Sequence, residues 1–146
     1  VVNIEKCNFR YFDPSQVDEE IDFMSMDVSF ISLKLIFPVA AQLLKDGGSI
    51  LCLVKPQFEA GREQVGKNGI VRDRKVHEEV IEKVISYAKE NDLIAKNLTF
   101  SPITGAKGNI EYLLHLNKQK NIGYNKSYTD SFNVSEVVQI SHAELV

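Results

Sequence analysis

The stretch Gly48–Gly61, GSILCLVKPQFEAG, constrains the fold of this chain more than any other. Ile50, Leu51, Cys52, Leu53 and Val54 follow one another with no polar interruption, the pattern of a short strand buried on both faces in a parallel sheet. The run stops on Lys55, and Pro56 fixes the backbone just behind it. A strand this apolar that ends by presenting an ammonium group raises the question of what the amine faces.

The periods on either side of that strand alternate between helix and strand. Val1–Ile4 reads as a strand, and Asp22–Phe30 (DFMSMDVSF) alternates polar and apolar residues. From Ser32 to Lys45 the apolar residues Leu33, Ile36, Phe37, Ala40, Leu43 and Leu44 fall at helical spacing, and Pro38 predicts that this helix starts late or kinks. Asp46-Gly47-Gly48 ends it, and the strand Ser49–Val54 follows. The segment from Ala60 to Val71 is glycine-rich and aperiodic. Asp73 is a natural N-cap for an amphipathic helix reaching about Glu90, with Val76, Val80, Val84, Tyr87 and Ala88 on one face.

Leu93–Phe100 and Ile110–Leu116 read as two further strands joined by SPITGAKGN, in which Gly105, Gly108 and Asn109 serve turn geometry. Strand, helix, strand, helix, strand predicts an α/β fold, a parallel sheet with helices on its faces. The last pair of strands fits a closing hairpin, which makes one strand near the end antiparallel. Past Leu116 the sequence is polar and aperiodic up to an apolar patch at Val134–Ile140. The expected division is a folded region, 1–116, and a flexible tail, 117–146, that docks at its end.

Composition narrows the function classes. A chain of 146 residues, 44% hydrophobic, can bury one core, and none of its apolar runs approaches the roughly 18 residues of a membrane span. A net charge of −3 argues against a wholly basic nucleic-acid surface but leaves room for a local one. Arg62, Lys67, Arg72, Arg74 and Lys75 gather around the glycine-rich segment, where they either touch phosphates or form a solvated face. Cys7 and Cys52 both lie in apolar runs and read as buried thiols of a reducing, cytoplasmic compartment. His77, His115 and His142 lack metal-ligand spacing and read as structural or exposed.

In an open parallel sheet, ligands bind beyond the carboxyl ends of the strands. Asp27 closes the strand Phe23–Met26, Lys55 closes Ser49–Val54, and Glu111 lies near the start of Ile110–Leu116. If that last strand is antiparallel, its start shares an edge with the ends of the others, and the three groups meet. The bland alternatives are a solvated strand end for Lys55, a turn or cap for Asp27 and a surface charge for Glu111.

The blocks MDVSFISL, LVKPQFEAGREQVGKNGIVRD and SPITGAKGNIEYLLHL resemble those of the TlyA or hemolysin A family of FtsJ-like ribose 2′-O-methyltransferases, which use S-adenosylmethionine. The resemblance runs from Val1 to Leu116. It implies a Rossmann-like methyltransferase fold, ribosomal RNA as substrate through a cytidine ribose, and a Lys-Asp-Lys-Glu catalytic set whose last three members fall on Asp27, Lys55 and Glu111. Lys55 is then the base and Glu111 and Asp27 its orienting partners, with Asp27 also close to the methionine end of the cofactor. Asn8 and Phe9, beside Arg10, fall where relatives approach the adenine. Independently of the resemblance, Arg62, Lys67 and Arg72 of the basic cluster are the candidate RNA contacts.

Such a set suits the reaction, because a ribose hydroxyl is a poor nucleophile. The enzyme must hold it in line with a sulfonium methyl and take one proton. A lysine serves as base only when neutral, a state favoured by burial or by a neighbouring cation. The departures matter as much as the match. The glycine-rich loop for the methionine moiety, the strand ending in a ribose-binding acid, the first catalytic lysine and the S4-like RNA-binding domain are not in this sequence. The chain therefore resembles the C-terminal half of such an enzyme and is expected to bind cofactor weakly or not at all by itself. Two rivals are a non-catalytic binding or assembly module on the same fold and a membrane-active toxin. Against the second, no basic amphipathic helix or apolar span is present.

Overall fold

In a computed structural model, residues 13–119 and 132–145 are described. Val1–Ile4, Cys7, Asn8 and Phe9 lie outside the described residues.

Strand β1 (Ile21–Met26) leads through a loop to helix α1 (Leu33–Leu43). Ser32 starts α1, its hydroxyl accepting from the Lys34 amide at 3.1 Å. The helix begins on schedule and runs through Pro38, whose ring is exposed, while Leu33, Ile36, Phe37 and Ala40 are buried.

The next strand corrects the reading of Asp46-Gly47-Gly48 as a helix stop. β2 begins at Leu44 and runs to Val54. Leu44 pairs with Ile21, and the next rung joins Ser49 to Phe23, so the glycines fall in an irregularity inside the strand. Gly47, at φ +82°, supplies the left-handed turn that this excursion needs.

A one-turn helix α2 (Pro56–Glu59) and two 3₁₀ turns carry the glycine-rich segment. Helix α3 (Arg74–Lys89) is capped by Asp73, whose carboxylate accepts from the Lys75 amide at 2.9 Å. Its buried face is Val76, His77, Val80, Ile81, Val84 and Ala88. Strands β3 (Leu93–Phe100) and β4 (Tyr112–Lys118) form the expected hairpin. The apolar patch near the C-terminus forms helix α4 (Val134–Leu145), which docks on α3 and β3 through Val134 and Val138.

The sheet order is β1-β2-β4-β3, with β4 antiparallel to both of its neighbours and β1 parallel to β2. This is the expected mixed sheet. The described helices cover one face of it: Ile50, Cys52 and Val54 are fully buried together with Leu114 and Leu116, whereas Leu51 is 38% exposed. Burial of β2 on both faces is therefore not observed, and its apolar run is half of an open face shared with Phe23. Cys52 lies in the core, and burial pushes its thiol up to about 12, an unreactive state.

Two buried polar groups tie the layers together. Lys118 donates to the carbonyls of Ala41 and Leu44, the latter at 2.6 Å, and so satisfies the orphan acceptors at the end of α1. His77 bridges the Val71 carbonyl at 2.9 Å and the Tyr112 hydroxyl at 3.0 Å, and His142 of α4 lies 2.9 Å from its Nδ1. Tyr112 continues to Ser141 at 2.9 Å, and burial raises its phenol to about 12. His77 and His142 thus belong to one connected network, while His115 stands apart, half-buried, its Nε2 3.2 Å from the Ser49 hydroxyl.

Two outcomes follow from these ties. Lys118→Met strips a buried donor from two carbonyls and should cost roughly 1–3 kcal/mol in urea unfolding. Burial lowers the pKa of both His77 and His142 below the ordinary 6.5. The folded state therefore favours the neutral rings. The stability they contribute is complete above pH 6.5 and is lost as the pH falls through their lower folded values. A melting temperature that stays level from pH 7 to pH 5 in wild type but falls in a His77→Gln, His142→Gln variant would contradict this assignment.

Candidate active site

The carboxyl edge of β1 and β2 collects the charged groups picked out in the sequence. β2 stops at Val54 because Pro56 lacks an amide proton and starts α2, leaving Lys55 as the N-cap. Lys55 is only 9% exposed, and its ammonium has two partners at this edge. It forms an ion pair with Asp27 and donates to the Ser29 hydroxyl at 3.1 Å. Asp27 follows directly on β1, and its side chain is 65% exposed. The amine is sheltered while its counter-ion opens to solvent.

Glu111 reaches the same edge from the other direction. Val54 pairs with Tyr112 in the antiparallel β2–β4 ladder, so the next step sets Lys55 opposite Glu111. Glu111 is 9% exposed. Its carboxylate accepts from Gln57 Nε2 at 3.0 Å, and among the described residues it is not ion-paired with Lys55. The three groups thus share one edge as two adjacent pairs, Lys55–Asp27 and Glu111–Gln57. Because Gln57 must donate to a carboxylate, its orientation is set, and its Oε1 is left buried with no partner among the described residues.

Gly105 owes its identity to this carboxylate. A Cβ placed there would sit 2.1 Å from Glu111 Oε2, so the glycine serves close approach as well as turn geometry. Asn109 matches the turn reading: its amide donates to Gly69 and Ala106 carbonyls at 3.0 and 2.9 Å, and its oxygen accepts from the Val71 amide at 3.0 Å. It clamps the glycine-rich segment to the β3–β4 loop.

Sequence reasoning passed over Ser29, Gln57 and Glu59. Glu59 accepts from the Ser32 hydroxyl at 2.6 Å and the Leu33 amide at 2.8 Å, capping α1 from α2. Burial raises its pKa above the ordinary value, and these two hydrogen bonds oppose the rise. The signal was Pro56, which starts a turn that brings Gln57 and Glu59 back over the edge.

Arg62 and Lys67 are exposed on the two 3₁₀ turns. Arg72 lines a cavity of about 260 Å³ with His77, Lys107, Ile110 and His142, which neither Arg62 nor Lys67 reaches. Asn8 and Phe9, the implied cofactor contacts, lie outside the described residues. The described residues contain no cluster able to hold a metal ion, and no helix long and apolar enough to cross a membrane.

The family model for FtsJ-like methyltransferases matches residues 1–118. The chain belongs to that family. It is 56% identical over 117 residues to "Putative rRNA methyltransferase YqxC" of Bacillus subtilis, covering 80% of this chain and 42% of that protein. It is 35% identical over 119 residues to the 16S/23S rRNA (cytidine-2′-O)-methyltransferase TlyA of Mycobacterium tuberculosis, covering 82% of this chain and 44% of that one. A solved structure described as "Putative hemolysin from Streptococcus thermophilus" superposes with a TM-score of 0.85 at 48% identity, over 94% of this chain and 49% of the other. The chain thus spans less than half the length of these relatives.

The Glu111 geometry has a direct test. Gly105→Ala should leave the fold intact but displace the carboxylate, shifting the Gln57 side-chain amide resonances in a nitrogen–proton NMR spectrum. Unmoved resonances would show that Glu111 does not rest against Gly105.

Proposed function

We propose that this chain carries the proton-accepting edge of an S-adenosylmethionine-dependent RNA ribose 2′-O-methyltransferase acting on ribosomal RNA. The observation that carries the reading is the convergence of Lys55, Asp27 and Glu111 on one sheet edge of a chain from the FtsJ-like family. The names of its relatives, an rRNA methyltransferase and a cytidine-2′-O-methyltransferase, supply the substrate class.

The edge fits the amino-acid end of S-adenosylmethionine at one point. Asp27 offers an exposed carboxylate beside the sheltered amine, suited to an ammonium group. Asn8 and Phe9 are the candidates for the adenine. When bound, the cofactor supplies an electrophilic methyl group. The residues of this chain do the rest. Asp27 and Ser29 hold the Lys55 nitrogen at the edge, out of bulk water. Once neutral, that amine accepts the proton of the ribose 2′-hydroxyl and becomes the ammonium ion that Asp27 stabilises. Gln57 fixes Glu111 one strand away, a second carboxylate that orients the site. Arg62, Lys67 and Arg72 are the proposed phosphate contacts, which set the position of the RNA strand and not its sequence.

The test joins this chain to the part of the Bacillus subtilis relative that it does not cover. The fusion should methylate ribosomal RNA from a labelled donor. Lys55→Ala should lower the rate about 10²- to 10⁴-fold, the usual worth of a positioned base, while calorimetry gives the same cofactor Kd. Methylation near the wild-type rate would remove Lys55 from the role of base. Cofactor binding by neither the chain nor the fusion would favour a non-catalytic module.

A further inference from the structure

Arg72 and Lys107 bring two cations to one cavity of about 260 Å³, and among the described residues neither side chain is ion-paired or hydrogen-bonded. The backbone fixes where both stand. Val71 is tied on two sides, its amide to Asn109 Oδ1 at 3.0 Å and its carbonyl to His77 Nε2 at 2.9 Å. Asp73 caps α3, so Arg72 is held between two anchored residues. Lys107 sits at φ +57°, a left-handed conformation uncommon for a lysine. Asn109 secures that turn through the Ala106 carbonyl at 2.9 Å and reaches the Gly69 carbonyl at 3.0 Å. One side chain thus sets the spacing of the two cationic walls.

A third wall comes from α4, through His142 and Leu145. His142 ends the buried network, and that network is one proton short. Its five contacts are Ser141 to the Val138 carbonyl, Tyr112 to Ser141, His77 Nδ1 to Tyr112, His77 Nε2 to the Val71 carbonyl and His142 Nε2 to His77 Nδ1. With both rings neutral, only four protons are available for them, one from each hydroxyl and one from each ring. A carbonyl only accepts, so His77 keeps a proton on Nε2. One more proton completes the set. If His77 takes it, its Nδ1 donates to Tyr112 and His142 Nε2, and the proton of His142 moves to Nδ1. If His142 takes it, Nε2 donates to His77 and Nδ1 again carries a proton. Either way the His142 Nδ1, unpartnered among the described residues, becomes a donor.

We propose that this cavity binds the phosphate group of a phosphate ester, held between Arg72 and Lys107 with a protonated His142 Nδ1 as the third donor. The site extends the Arg72 contact proposed above but does not depend on methyl transfer. A guanidinium fork and a flexible ammonium are suited to phosphate oxygens. The cavity is larger than one tetrahedral oxyanion fills, and Ile110 and Leu145 line the remainder, which suits the organic part of an ester. His142 and Leu145 lie beyond residues 1–118, the stretch that matches the family model, so docking of α4 completes the site. The charged and titratable groups around His142 are Asp73, Arg74, His77 and Glu78 from α3 and its cap, Tyr112 from β4, and Arg72 and Lys107 from the loops. Without an anion nearby, burial and then Arg74 favour the neutral ring, and Asp73 opposes them. A bound anion favours the charged ring, so binding takes up a proton and tightens as the pH falls.

The experiment titrates the full chain with inorganic sulfate, a tetrahedral anion whose own charge is constant over the range used, at an ionic strength fixed with chloride. The His142 ring resonances should shift saturably, and the sulfate Kd should fall between about pH 7.5 and about pH 5.5. Arg72→Gln and Lys107→Gln should each raise that Kd about tenfold, the low end for a hydrogen bond to a charged group, with the melting temperature unchanged. Lys107→Arg should recover it, and His142→Gln should flatten the pH dependence. Competition then identifies the source of the phosphate. Displacement of sulfate by a short single-stranded RNA without terminal phosphates assigns the site to the RNA backbone. Displacement by a nucleoside 5′-monophosphate alone assigns it to a free ester. Displacement by neither would overturn the proposal. So would a shift that never saturates, or one that persists at the wild-type Kd when Arg72→Gln and Lys107→Gln are combined.

Discussion

The insertion of β4 between β2 and β3, antiparallel to both, is the constraint on which the site depends. Its buried residues Tyr112, Leu114 and Leu116 supply the centre of the core, and both of its edges are hydrogen-bonded. Reversing the direction of one strand places its amino end level with the carboxyl end of β2. Lys55 and Glu111 become neighbours for that reason, with no contact of their own needed to draw them together. A one-residue slip in this ladder would turn Tyr112 out of the core and separate the pair, so the hydrophobic pattern of β4 and the geometry of the site are fixed by the same register.

Buried cations are used in two ways in this fold. Lys118 lies inside the protein and is satisfied by backbone carbonyls at the end of α1, with Asp46 at 3.8 Å. Its role is to close a helix. Lys55 is equally buried, and Asp27, like Asp46, faces solvent, but Lys55 is held by side chains, a serine hydroxyl and a carboxylate, and among the described residues by no backbone carbonyl. Side chains can be re-aimed by a ligand, whereas carbonyls at a helix end stay in place. That difference in partners, more than burial, separates a structural lysine from one suited to chemistry.

Much of the fold was legible because helix and strand periods are strong where the core is strong. The strand Leu93–Phe100 and the Asp73 cap appear where the pattern put them. The errors fall where local and tertiary signals compete. Asp46-Gly47-Gly48 carries the chemistry of a helix stop, but pairing of Leu44 with Ile21 draws the strand through it. The apolar run Ile50–Val54 predicted two covered faces, whereas alternation in burial shows one, because period alone does not say whether a second layer is present. At the site, Asp27, Lys55 and Glu111 could be chosen from their places at strand ends. Gln57 and Glu59 could not, since their roles depend on how a single helical turn folds back after Pro56.

The edge is unequally finished, and this bears on how the site works. The Glu111 side is closed: its carboxylate is held by Gln57 and packed against Gly105, in a loop clamped by Asn109. The Asp27 side is open, with an exposed carboxylate and an exposed Phe30 on a constrained backbone. Rigid surroundings like those of Glu111 are what preorganisation requires. Lys55 and its partners Asp27 and Ser29 are carried on β1, β2 and the loop that follows β1. In the proposed reading, the exposed Asp27 side is the one that meets cofactor and RNA.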